Sequence, residues 1–140
     1  MATQKSRKPL TFAAIGVANT ALDFGLLLIL KTLGLPAVAA NTVSTTVAFV
    51  FSFIMNRRYT FKPSGQNIKR ELAMFIGVTL FGLWVLQNIV ITLVTPFIKG
   101  LGFDENSALV LSKLLATVVS LVWNYIMYDK VVFKNKPTTD

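Results

Sequence analysis

The stretch Ser52–Lys62 reads SFIMNRRYTFK, and Asn124–Lys134 reads NYIMYDKVVFK. Both close a long apolar run, and both end in Phe-Lys, at an offset of 72 residues. The alignment extends backward through each run. Asn41, Thr45, Ala48, Ser52 and Asn56 follow spacings of 4, 3, 4 and 4, and Lys113, Thr117, Ser120, Asn124 and Tyr128 repeat them. That period puts each set on one face of a helix. A weaker match, Ile15-Gly16-Val17 against Ile76-Gly77-Val78 at an offset of 61, links the runs that come before. The chain therefore reads as two helical hairpins of the same, parallel topology, unlike the inverted repeats of many transporters.

The solvent for these hairpins is lipid. Of 140 residues, 54% are hydrophobic and 14% charged, against about a quarter charged in an ordinary soluble domain. A chain this short buries too small a fraction of its surface to hide that much apolar area in one aqueous core. Four runs, at about 12–33, 38–55, 72–98 and 108–127, approach or exceed the ~20 residues that span a bilayer. The expected fold is all-α: a polytopic membrane four-helix bundle forming a single domain, with disordered tails at about 1–9 and 137–140. Leu33-Gly34-Leu35-Pro36 breaks the first hairpin, and Lys99-Gly100-Leu101-Gly102 the second. The third run is long, so tilt or a bend near Pro96 is expected. Lys5, Arg7 and Lys8 before the first run resemble the start of a signal peptide. That run is longer than a cleavable apolar region and contains Asn19 and Asp23, so it is read as a retained span.

Charge placement orients the chain. Lys5, Arg7 and Lys8 precede the first span, Arg57, Arg58, Lys62, Lys69 and Arg70 lie between the second and third, and Lys130, Lys134 and Lys136 follow the fourth. With four spans all of these share one side, which the positive-inside rule makes cytoplasmic, together with both termini. The net charge of +8 is thus a topology signal, and no nucleic-acid partner is expected. Absence of Cys and His excludes disulfides, thiol nucleophiles, Cys/His zinc sites and a His base. Neither paired carboxylates nor a nucleophile–base pair stands out, so neither an enzyme nor a cofactor is expected.

Polar groups inside spans must turn toward neighbouring helices or water. Asp23 near the middle of the first span and Lys113 in the fourth are costly there, at least ~2.5–3.5 kcal/mol each. They are natural partners for one another, either as an ion pair fixing helix order or as walls of a polar cavity. Asn19, one turn from Asp23, shares its face. Gln87 and Asn88 are inward candidates in the third span. The polar stripes of spans two and four, and the small-residue stripe Ala14, Ala18, Ala21 and Gly25, suit close helix packing. Asn56-Arg57-Arg58-Tyr59 sits at a membrane boundary, where two guanidinium groups bind phosphate bidentately or serve as anchors.

These residues carry a resemblance. Ile15-Gly16-Val17-x-Asn19-Thr20-x-x-Asp23, the ending Ser52-Phe53-Ile54-Met55-Asn56-Arg57-Arg58-Tyr59-Thr60-Phe61, and Trp123-Asn124-Tyr125 with Val132-Phe133 together resemble the GtrA-like family of four-span bacterial membrane proteins, over nearly the whole chain. The resemblance implies translocation of a polyprenyl-phosphate-linked monosaccharide across the cytoplasmic (inner) membrane for decoration of surface polysaccharides. It implies lipid-phosphate binding at Asn56, Arg57 and Arg58, and a head-group path along Asn19, Asp23, Lys113, Asn124 and Gln87. The second ending departs from the pattern with Tyr128-Asp129-Lys130, which favours the first as the phosphate site. Expected partners are the lipid-linked sugar, membrane lipids, a membrane glycosyltransferase, and further copies of a chain too small to enclose an aqueous path alone. Two other functions compete: a non-transporting subunit that anchors a polyprenyl-phosphate glycosyltransferase, and a small multidrug-resistance-type exporter. One-sided basic residues argue against the last.

Overall fold

A computed structural model describes residues 2–65 and 67–134, with backbone alone at 2–6, 37 and 38. Every regular element among them is helical. Four helical stretches are long and apolar enough to cross a membrane: Arg7–Thr32, Ala39–Phe61, Ile68–Gly100 and Glu105–Val132. The chain divides into two compact units, Met1–Ser64 and Gly65–Asp140.

The first unit pairs helices α1 (Ala2–Thr32) and α2 (Ala37–Met55), and a π-helical turn, Asn56–Phe61, continues α2. Where a disordered tail was expected at 1–9, helix α1 already begins at Ala2. Helix propagation adds one hydrogen bond per residue once a span has nucleated it. Pro9, in the second turn, withholds only the N–H that would have reached the Lys5 carbonyl. The expected tail at 137–140 lies outside the described residues. Helix α1 ends in a Schellman turn. Gly34, at φ +94°, donates to Lys31 O at 3.0 Å and Leu35 to Leu30 O at 3.1 Å. Pro36 then starts α2, its carbonyl accepting from Ala40 N at 2.9 Å.

The second unit holds α3 (Ile68–Leu80), a π-helical turn at Phe81–Leu86, α4 (Gln87–Gly100) and α5 (Glu105–Met127), which a π turn at Tyr128–Val132 extends. Asn67 caps α3 through Arg70 N (3.2 Å), and Asp104 caps α5 through Ser107 N (3.2 Å). Gly102, at φ +98°, makes the turn between α4 and α5.

Each unit packs on a line of small residues four apart. In α2 the buried line is Ala40, Ser44 and Ala48, running into half-buried Ser52 and buried Asn56; in α5 it is Ala108, Ser112, Ala116, Ser120 and Asn124, running into Tyr128 of the π turn. From Ala40 onward the two lines correspond at the same offset of 72, as do buried Thr60 with Val132 and Phe61 with Phe133. The expected polar faces are therefore half right. Ala48, Ser52 and Asn56, with Ser120, Asn124 and Tyr128, do turn inward. Asn41, Thr45 and Lys113 are exposed, and Thr117 is half-buried. Without a hydrophobic force between helices in lipid, close approach selects the smallest side chains. A threonine facing outward meanwhile satisfies itself on its own helix, as Thr117 does on Lys113 O at 2.8 Å. The stripe of Ala14, Ala18 and Ala21 is likewise exposed, while Ile15 in α1 is buried.

Candidate functional site

The first ending is built around Asn56, which is 2% exposed. Its Nδ2 donates to Ser52 O at 2.9 Å and Ser52 Oγ at 3.2 Å, while its Oδ1 accepts from Thr60 Oγ1 at 3.1 Å. The amide thus ties the last turn of α2 to the π turn, with half-buried Arg57 and exposed Arg58 beside it. Lys62 closes the π turn in a left-handed conformation (φ 44°), its N–H on Arg57 O at 3.0 Å. Arg58 is exposed, with its guanidinium 5.5 Å from the Tyr59 ring centroid. Lys8 Nζ lies 5.8 Å over Phe61, which Phe12 meets edge-on at 6.3 Å. Phe61 is buried, so this aromatic pair fixes the Lys8 end of α1 against the π turn. Arg7, Lys8, Arg57, Arg58 and Lys62 accordingly gather at one end of the first unit, above aromatic rings suited to a membrane interface.

The second ending uses the same turn differently. Tyr128, at the position of Asn56, is buried, stacked on Phe75 at 4.5 Å, and shares a 2.5 Å hydrogen bond with Thr79 Oγ1. Phe133 completes the cluster at 6.1 Å from Tyr128 and 6.2 Å from Phe75. Asp129 and Lys130 replace the two arginines. An acid beside a lone ammonium is a poor phosphate cradle, whereas adjacent guanidiniums offer two forked donors.

Of the residues expected along a head-group path, Lys113 alone is exposed; Asn19, Asp23, Gln87 and Asn124 are half-buried or buried. Asn19 and Asp23 are half-buried, one turn apart on α1. Among the described residues, the side-chain Oδ1 atom of each is buried without a hydrogen-bond partner. The helix packed on this part of α1, α2, contains no charged residue. In the second unit Asn124 is 8% exposed, and its Oδ1 also lacks a partner. That oxygen presses on Gly82, where an added Cβ would lie 3.0 Å away. Trp123 Nε1 donates to Val78 O at 3.3 Å, and Gln87 Nε2 to Ser120 Oγ at 2.9 Å, one turn from Asn124. Asn88 instead turns back to Trp84 O and is exposed. Lys113 is exposed on α5, with a stem long enough to carry its ammonium toward the interface.

Four buried side-chain atoms among the described residues lack any hydrogen-bond partner: Oδ1 of Asn19, Asp23 and Asn124, and Oγ1 of Thr95. Each such group costs ~1–3 kcal/mol if nothing ever satisfies it, so an incoming donor is rewarded there. Sequence reasoning missed Thr95, and it missed buried Glu71 in the first turn of α3. An acid in a first turn suits the helix dipole and signals nothing by itself. Thr95 looks like any other helical threonine until its hydroxyl is seen.

The chain matches the family described as GtrA/DPMS, transmembrane domain, over residues 11–133. It is 30% identical over 122 residues to an uncharacterised membrane protein, YngA, of Bacillus subtilis (strain 168), covering 82% of this chain and 72% of that protein. It is also 29% identical over 98 residues to the cell wall teichoic acid glycosylation protein GtcA of Listeria innocua, covering 68% of this chain and 62% of that protein.

Proposed function

This chain belongs to the GtrA/DPMS transmembrane-domain family, and from that premise we propose that it flips a polyprenyl-phosphate-linked monosaccharide across the cytoplasmic membrane for glycosylation of a cell-surface polymer. Similarity to a teichoic acid glycosylation protein supports a role in such decoration. The observation that carries the reading is chemical. Asn19, Asp23 and Asn124 hold three of the four unpartnered buried oxygens, all acceptors, and a sugar is a set of hydroxyl donors. Hydrocarbon offers none.

In this mechanism no covalent bond changes. Both termini and the basic residues flanking them and between the second and third spans face the cytoplasm. The lipid phosphate meets Arg57 and Arg58 at the cytoplasmic end of the first hairpin, with Asn56 as the residue that positions them. Sugar hydroxyls exchange water for Asn19 and Asp23, and for Asn124 with Gln87 beside it, while the prenyl tail remains in lipid. Acceptors already desolvated in the protein make the head group's passage less costly than bare crossing, because their desolvation precedes binding.

The test is reconstitution of the full chain into proteoliposomes carrying a fluorescent polyprenyl-phosphate hexose, with leaflet exchange read by dithionite quenching. Exchange above that of protein-free vesicles, lost in the Arg57→Ala/Arg58→Ala variant and weakened in Asp23→Ala, which removes an acceptor, is expected. No exchange by the wild-type protein alone, with a glycosyltransferase co-purifying from cells, would instead establish an anchoring subunit.

A further inference from the structure

The fourth unpartnered oxygen, Thr95 Oγ1, belongs to none of the residues above. Elsewhere in the spans Thr20, Thr46, Thr79 and Thr117 turn their hydroxyls onto the carbonyl four residues earlier, at 2.7–3.0 Å. Thr95 makes no such bond: its Oγ1 is buried and unpartnered, so engaging a ligand there breaks no existing hydrogen bond. The next residue, Pro96, has no N–H to give the Thr92 carbonyl. Both threonines line a groove of about 500 Å³ near the turn between α4 and α5, together with Ile91, Lys99, Glu105 and Leu109. This is the end of the second hairpin remote from Lys69, Arg70, Lys130 and Lys134.

We propose that this groove receives the phosphate and hydroxyls of the lipid-linked sugar on the far side of the membrane, as the last polar contact before release. The inference rests on the flipping reading, which needs a destination as well as an entrance. Its chemistry is that of an amphiphile's head. Lys99 supplies a cation at the rim, Thr95 and Thr92 supply hydroxyls about one and two turns deeper, and Ile91 and Leu109 border the first prenyl unit. The groove lies within the ~300–1,000 Å³ of small-ligand sites. Lys99 is currently held by Glu105 at 3.5 Å, with side chains 46% and 81% exposed. An exposed pair of this kind is weak, so a phosphate can displace the carboxylate.

The full chain in nanodiscs should bind a short-chain polyprenyl-phosphate hexose, and Thr95→Val and Lys99→Gln should each weaken that affinity about tenfold, as expected for one lost charge-assisted or buried hydrogen bond. Glu105→Gln, which frees Lys99, should tighten it several-fold, a change a merely structural role would not produce. Unchanged affinity in Thr95→Val and Lys99→Gln, with exchange still lost in Arg57→Ala/Arg58→Ala, overturns the groove and leaves flipping intact. If the wild-type protein exchanges no lipid, flipping fails, and sensitivity to Thr95→Val still supports a head-group site. Equal weakening of phosphatidylglycerol binding by Lys99→Gln, with no effect of Thr95→Val, reduces the groove to an anionic-lipid contact and overturns the proposal.

Discussion

Gly82 and Gly77 lie five residues apart along one span, and replacing each by alanine should push stability in different directions. A methyl group on Gly82 would sit 3.0 Å from Asn124 Oδ1, 3.2 Å from Trp123 Cδ1 and 3.6 Å from Ser120 Cβ, whereas one on Gly77 would meet nothing within 4 Å. Optimal carbon contacts lie at ~3.5–4.0 Å. The neighbours of Gly82 cannot all yield, since Trp123 is tied to Val78 O at 3.3 Å and Ser120 to Gln87 at 2.9 Å. Alanine relieves glycine's entropic cost in a helix by ~0.5–1 kcal/mol at either position. That gain cancels in the comparison, leaving the overpacking cost of ~1–3 kcal/mol. Gly77→Ala should therefore match or exceed wild-type stability, and Gly82→Ala should fall below Gly77→Ala by that amount. The measurement is unfolding in mixed micelles by titration with dodecyl sulfate, followed by circular dichroism. Adding Asn124→Ala to Gly82→Ala should recover part of the loss, since the nearest clash is then gone. Equal stability of Gly82→Ala and Gly77→Ala would refute the close approach of α5 to this π turn, and with it the placement of Asn124.

Other consequences follow from the two hairpin ends. Asn56→Ala removes three hydrogen bonds around the π turn and should cost ~1–2 kcal/mol in the same unfolding titration; no loss would show that the amide does not hold the turn. Arg57→Lys/Arg58→Lys should restore only part of the lipid exchange lost in the double alanine variant, because an ammonium cannot fork onto two phosphate oxygens; full recovery would reduce these residues to point charges. At the other end, the Ser107 hydroxyl and N–H hold the Asp104 carboxyl below its ordinary value. A depressed value means the cap's contribution is fully present above the unfolded-state pKa and is lost as pH falls through the folded one. The stability gap between wild type and Asp104→Ala, read as midpoints of thermal unfolding, should be constant near neutral pH and shrink in acid; a pH-independent gap would show that the charge contributes nothing to the cap.

Much of the architecture was legible in the residue order. The number of spans follows from apolar length against bilayer thickness, and Gly34-Leu35-Pro36 and Gly102 with Asp104 mark the turns through backbone conformations that few other residues supply. Asn19 and Asp23 stood out because polar atoms inside a span are expensive anywhere, and Asn124 through the repeat; all three Oδ1 atoms are among the unpartnered ones. The packing faces were legible only in part. Polarity sorts buried from exposed in water, but in lipid a threonine that bonds its own helix can face either way. Only the tertiary structure decided that Ala40 and Ser44, not Asn41 and Thr45, line the first hairpin, and that Ser112 and Ala116 line the second while Lys113 stays outside. It also decided that Asn56 turns inward, that Gly82 gives way to Asn124, and that Thr95 leaves its hydroxyl unused. Each of these depends on how closely two helices approach, and that distance is set by side-chain size across the contact, which no single helix's sequence contains.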